Sequence, residues 1–143
     1  MNDSQSIFKY TNEIIERYKT RNPFTLAALL DIKIDYKPYS ILKGHYLKVA
    51  DRKYIIINPN LNYQEQLIVC AHELGHALLH DDSEAHSLMA LSLSNMDADQ
   101  KEREANRFAV SLLVKPEKIN KEICDLTDNE IEKIVLLNIQ KVG

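Results

Sequence analysis

Cys70-Ala71-His72-Glu73-Leu74-Gly75-His76-Ala77-Leu78-Leu79-His80 carries the strongest chemical signal in the chain. It contains His-Glu-x-x-His. On a helix, residues four apart share a face, one turn above the other. His72 and His76 can therefore each offer one ring nitrogen to a single ion. Zinc is the usual occupant of such a pair, at roughly 2.0–2.1 Å from each nitrogen. Glu73 is rotated from His72 by about 100°, so it flanks the ion and is placed to take a proton from a water activated there. The spacing predicts a helix over 63–80, with Asn62 as its cap and Glu65 reaching back as in a capping box. Between Leu67 and Leu79 apolar residues lie nearly all round the axis, the pattern of a buried helix. Two histidines and a glutamate inside such a segment need partners, and a metal would supply one. His80 continues the spacing, but its offset grows with each turn, so a supporting or capping role is expected of it. Cys70 lies nearly opposite His72 and reads as core packing.

Towards the N-terminus, residues 4–20 read as an amphipathic helix with Ile7, Thr11, Ile14, Ile15 and Tyr18 at helical spacing. Asn22 suits a cap and Pro23 the first position of a short helix through Leu30. Ile32-Lys33-Ile34-Asp35-Tyr36 alternates as a half-buried strand should. Tyr46–Val49 and Tyr54–Ile57 read as two more strands, turned at Ala50–Lys53, the second apolar enough for burial on both faces. Towards the C-terminus, Ser87–Leu93 reads as a strand or a flap. A helix is expected over 100–114, then a short one over 117–123. Thr127-Asp128-Asn129-Glu130 is a second capping box opening a last helix. The pattern gives an α+β fold, a small sheet of about three strands packed on the His-Glu-x-x-His helix and on a second helix. Residues 1–143 are expected to form one domain.

Two histidines do not complete a catalytic metal site, which usually has three protein ligands and an open position. A metzincin would continue with Gly and His where this chain has Leu79 and Asp82. The helix at 100–114 offers another donor. Its apolar stripe is Ala105, Phe108, Ala109, Leu112 and Leu113, and at about 100° per residue Glu102 falls inside it. Glu104 falls well outside and is the lesser alternative. A carboxylate on a core-facing stripe is costly unless paired or bound to metal. Asn106, one turn after Glu102, is placed to fix the ring of a metal-bound histidine.

The totals limit other functions. A net charge of −3 with no dense Lys/Arg run gives no support for direct nucleic-acid binding. No segment approaches a membrane span. The polar N-terminus lacks a signal-peptide pattern, and two cysteines make no disulfide framework. A reduced, cytoplasmic protein is the expectation.

His72-Glu73-Leu74-Gly75-His76-Ala77-Leu78-Leu79-His80, followed by Glu102-x-x-Ala105-Asn106-Arg107-Phe108-Ala109-x-x-Leu112-Leu113, resembles the ImmA/IrrE family of metallo-endopeptidases. Asn22-Pro23-Phe24-x-x-Ala27 and Ile57-Asn58 extend the resemblance over roughly residues 22–116. It implies a gluzincin-like zinc protease acting inside a bacterial cell on a transcriptional regulator, often a helix-turn-helix repressor of a phage or mobile element. Carried over by position, His72, His76 and Glu102 would bind zinc and Glu73 would be the catalytic base. The chain departs at Leu112-Leu113-Val114-Lys115-Pro116, where the family has Leu-Leu-Met-Pro, and at Asn106, where thermolysin-like relatives carry Asp.

The expected reaction is peptide hydrolysis. Tyr46, Tyr54, Tyr63 and His86 are candidate donors to the tetrahedral oxyanion. The hairpin at 45–57 is the expected edge for an extended substrate. The alternative is a metal-binding regulator that acts on a repressor by binding, without efficient cleavage. An intact Glu73 favours the protease, because binding alone would not need a base.

Overall fold

The computed structural model describes residues 4–38, 43–80, 96–115 and 125–137. Helix α1 (Ser4–Tyr18) buries Ile7, Thr11 and Ile14 along one face. The Thr11 hydroxyl donates to the Ile7 carbonyl at 2.7 Å, which satisfies it within its own helix. Helix α2 (Pro23–Leu29) starts where Asn22 Oδ1 accepts from the Phe24 and Thr25 amides. The Asn22 cap and the α1 stripe follow the sequence reading.

Three strands follow: β1 (Ile32–Tyr36), β2 (Gly44–Val49) and β3 (Arg52–Ile57). They form one sheet in the order β1-β3-β2, with β1 parallel to β3 and β2 antiparallel to it. The hairpin is tighter than expected. Val49 pairs with Arg52, so Ala50 and Asp51 alone make the turn, at φ 49° and 66°. A two-residue turn of left-handed residues matches the twist of its strands. It carries no glycine, which is why the sequence suggested a longer connection. Ile55, Ile56 and Ile57 of β3 are buried, as its apolar run implied.

Helix α3 (Tyr63–Leu79) carries the His-Glu-x-x-His segment. Its capping box is complete: the Glu65 amide donates to Asn62 Oδ1 at 2.9 Å, and the Asn62 amide to Glu65 Oε1 at 3.0 Å. Every residue from Val69 to Ala77 is buried, so the helix lies inside the molecule. Helix α4 (Met96–Leu113) starts four residues before the expected Gln100 and crosses α3. The main core joins Leu26, Ile55, Ile57, Val69, Leu74, Phe108 and Leu112 with the α1 face.

Helix α5 (Asp128–Leu137) opens on the second box, the Glu130 amide donating to Thr127 Oγ1 at 3.1 Å. Ile131 and Val135 pack on Val110 of α4. The buried Arg107 guanidinium ties the two helices, donating to the Leu126 carbonyl at 2.8 Å and to Asp128 Oδ1 at 2.9 Å. The architecture is thus α+β with a three-stranded mixed sheet. Among the described residues no helix is long and apolar enough to cross a membrane. The segments expected at 87–93 and 117–123 lie outside the described residues.

Candidate metal centre

The site grows out of one crossing. Gly75 sits where α3 meets α4, and a Cβ there would stand 3.2 Å from Ala105 Cα and from Phe108 Cβ. The missing side chain lets α4 approach closely. Glu102, one turn before Ala105, is thereby brought against the histidines. His72 Nε2 lies 2.9 Å from Glu102 Oε2, and His76 Nε2 lies 3.1 Å from Glu102 Oε1. One donor atom from each of the three residues lies within 4.8 Å of the others. Among the described residues no other group of three such side chains converges. The His72 side chain is 1% exposed, whereas that of Glu102 is 37% exposed, so the cluster opens on the Glu102 side.

The donors suit a cation. His72 Nδ1 is 2.7 Å from Asn106 Oδ1. An amide oxygen only accepts, so Nδ1 carries the proton and the neutral ring has a bare Nε2. That bare nitrogen faces a carboxylate, with no hydrogen-bond partner in suitable geometry despite the 2.9 Å separation. Two acceptors so close need a positive charge between them. Two imidazole nitrogens and a carboxylate oxygen are also the donor types that divalent zinc takes.

Titration follows the same geometry. Burial lowers His76 to about 4, with the neighbouring His72 adding to the fall and Glu102 opposing it. For His72 burial also works downward, but Glu102, Glu73 and Asn106 outweigh it and raise the ring above its ordinary value. Burial pushes Glu102 up, and the two histidines more than reverse this, holding it well below the usual carboxylate range.

Glu73 is fully buried beside the cluster, its Oε2 4.0 Å from His72 Nε2, and is not part of it. Glu104 does not join the cluster either. It contacts His80, whose Nε2 is 2.7 Å from Glu104 Oε1, and His80 Nδ1 is 3.0 Å from His76 Nδ1. Burial, reinforced by Glu73, raises the Cys70 thiol far above its ordinary value, as suits a core residue. His45 is half-buried on β2. Tyr63 is exposed, stacks on Phe24, and stands about 13 Å up the helix axis from His72. Tyr46 is fully buried on β2. His86 lies outside the described residues.

Two residues that serve the site escaped the sequence reading. Gly75 could have been found from the small Ala105 in the facing stripe. Gly44 could not. A Cβ on it would stand 2.5 Å from Val69 Cγ1, 2.8 Å from the Ile56 carbonyl oxygen and 3.8 Å from Glu73 Cγ. It lets strand β2 lie against α3 beside Glu73.

A buried His-Glu-x-x-His helix crossed by a second helix that brings a glutamate to it defines a zincin-like arrangement. The model of the IrrE N-terminal-like domain, a peptidase family, matches residues 27–131. The chain belongs to this ImmA/IrrE family, and the match runs beyond the resembling segments into α5. It is 41% identical over 102 residues to "Uncharacterized immunity region protein 2" of Bacillus phage phi105, covering 71% of this chain and 63% of that protein. It is 28% identical over 119 residues to "Metallopeptidase ImmA" of Bacillus subtilis (strain 168), covering 82% of this chain and 68% of that one. This chain thus spans about two thirds of the length of either relative. No solved structure matches it.

Proposed function

We propose that this protein is a zinc-dependent endopeptidase that cleaves a transcriptional regulator, a helix-turn-helix repressor of a phage or mobile element, inside the cell. The observation that carries the reading is the convergence of His72, His76 and Glu102 next to a buried Glu73 that stays outside the cluster. Membership of a peptidase family and likeness to a phage immunity-region protein support it.

His72, His76 and Glu102 would hold the metal. When bound, zinc would supply a Lewis acid for the scissile carbonyl and bring the pKa of a water towards ~7. The chain's own residues do the rest. Asn106 accepts from His72 Nδ1 and keeps the ring's other nitrogen bare towards Glu102. Glu73 takes the proton of the attacking water and passes it to the leaving amine. Among the described residues strand β2 is an outer strand of the sheet, the position at which an extended peptide can add. Gly44 sets that edge close to Glu73.

The test uses purified protein and helix-turn-helix repressors from the same genome, those encoded nearest its gene first. Wild type should carry about one zinc per chain, as the three-ligand count implies, and cut the repressor at a defined bond. Glu73→Gln should keep the zinc and lose cleavage. His76→Ala should lose both. Undiminished cleavage by Glu73→Gln would refute the mechanism, and full zinc in His76→Ala would refute the ligand set. Derepression by Glu73→Gln without cleavage would show an action by binding alone.

A further inference from the structure

We propose that His80 and Glu104 form a hydrogen-bond relay that fixes which ring nitrogen of His76 faces the cluster, making both of them positioning residues of the site. The inference rests on the metal reading above and extends it to two residues outside the ligand set. His80 follows His76 by one turn, and its Nδ1 is 3.0 Å from His76 Nδ1. Its Nε2 is 2.7 Å from Glu104 Oε1, with the two side chains only 7% and 11% exposed. Gln100 Nε2 donates to the other Glu104 oxygen at 3.3 Å. Both oxygens of a nearly buried carboxylate are therefore met by donors.

The direction of the chain follows from its ends. A carboxylate only accepts, so His80 Nε2 carries a proton and the neutral ring has a bare Nδ1. His76 Nδ1–H donates into that nitrogen. His76 Nε2, 3.1 Å from Glu102 Oε1, is then the bare nitrogen when a metal cation, in place of a proton, stands between it and that carboxylate. The proton order imposed by Glu104 at one end is the order a metal requires at the other. His72 reaches the same state through a single neighbour, Asn106. The two histidines are thus oriented by different means, one by a neutral amide and one by a carboxylate acting through a second ring. A carboxylate behind a ligating imidazole makes it a stronger donor.

A purely structural role is the competing explanation, since His80 caps α3 and its pairing ties α3 to α4. The two roles give different measurements. Zinc affinity is measured by competition with a chromophoric chelator on the full chain. Melting temperatures of the metal-free variants report folding separately. Glu104→Ala and His80→Ala should each weaken zinc binding about 10–100-fold. The double variant should be no weaker than the weaker single one, because one broken link disables the whole relay. Glu104→Gln, nearly isosteric, keeps the hydrogen bond but lets the amide donate or accept, and should fall between wild type and Glu104→Ala. If Glu104→Ala does not fold, Glu104→Gln carries the test. In cobalt-loaded protein its visible bands should shift at unchanged stoichiometry.

Zinc binding by Glu104→Ala, or by Glu104→Gln where that variant is the one measured, within about two-fold of wild type would overturn the relay. So would losses that multiply in the double variant. A wild type that takes up no zinc would instead overturn the metal reading, and the relay with it.

Discussion

Gly44 shows how one absent side chain can set the distance between a strand and a buried carboxylate, that of Glu73. The 2.5 Å that an added Cβ would leave to Val69 Cγ1, and the 2.8 Å to the Ile56 carbonyl oxygen, are both below contact. Gly44→Ala should therefore cost about 1–3 kcal/mol, as overpacking does, in urea unfolding. Adding Val69→Ala should recover only part, because the clash with the backbone carbonyl remains. A loss below about 0.5 kcal/mol would mean that β2 retreats freely and that its spacing from Glu73 is not fixed here. Single residues were otherwise unevenly legible. The inward placement of Glu102 beside the histidines could be read by phase, because a carboxylate on an apolar stripe stands out. Glu104, about 200° away on the same helix, reads as solvent-facing until its partner is known. That partner, His80, has itself drifted about 80° from His72. Two residues that have each left the face meet each other, and periodicity in one helix at a time does not reveal it.

Among the elements, helix starts were the most readable, because a cap is chemistry between near neighbours. Asn62–Glu65 and Thr127–Glu130 both form the reciprocal bonds their spacing implied. The hairpin was less readable, since Ala50 and Asp51 adopt left-handed backbone without a glycine to announce it. The parallel pairing of β1 with β3 joins residues too far apart in sequence for any local pattern to show. The α3–α4 crossing lies between these cases, and its key residue can be tested. In Gly75→Ala, the gain in helix propensity is about 1 kcal/mol. The new Cβ meets the backbone of Ala105 and the Phe108 ring, so α4 has to shift as a unit. Stability should change by less than about 1 kcal/mol while zinc affinity falls several-fold, since Glu102 rides on the helix that moves. Wild-type affinity in this variant would show that the crossing distance does not set the site.

For the whole molecule, the cluster couples protons, metal and folding. In the metal-free protein His76 has a folded pKa of about 4, below its unfolded value, so the folded state binds fewer protons between the two. Its contribution is complete above about pH 6.5 and is lost as pH falls towards 4. Glu102 has the same sign at lower pH: its folded pKa is depressed, and its contribution disappears below the ordinary carboxylate range. His72 has the opposite sign. Its raised pKa adds stability that is complete below about pH 6.5 and is lost as pH rises through the folded value, so it does not offset His76 below that point. Metal-free protein should lose on the order of 3 kcal/mol from His76 alone by pH 4, the shift counted at about 1.36 kcal/mol per unit. Zinc should stabilise the fold near neutrality by mass action. That gain should shrink on acidification, because protons compete for the same ring nitrogens. Thermal melts at several pH values between 7 and 5, with chelator and with zinc, measure both effects. A metal-free melting temperature that stays flat across this window would mean that His76 is not held neutral by burial. A zinc-induced rise that does not diminish would mean that the stabilising zinc sits elsewhere than on the histidines.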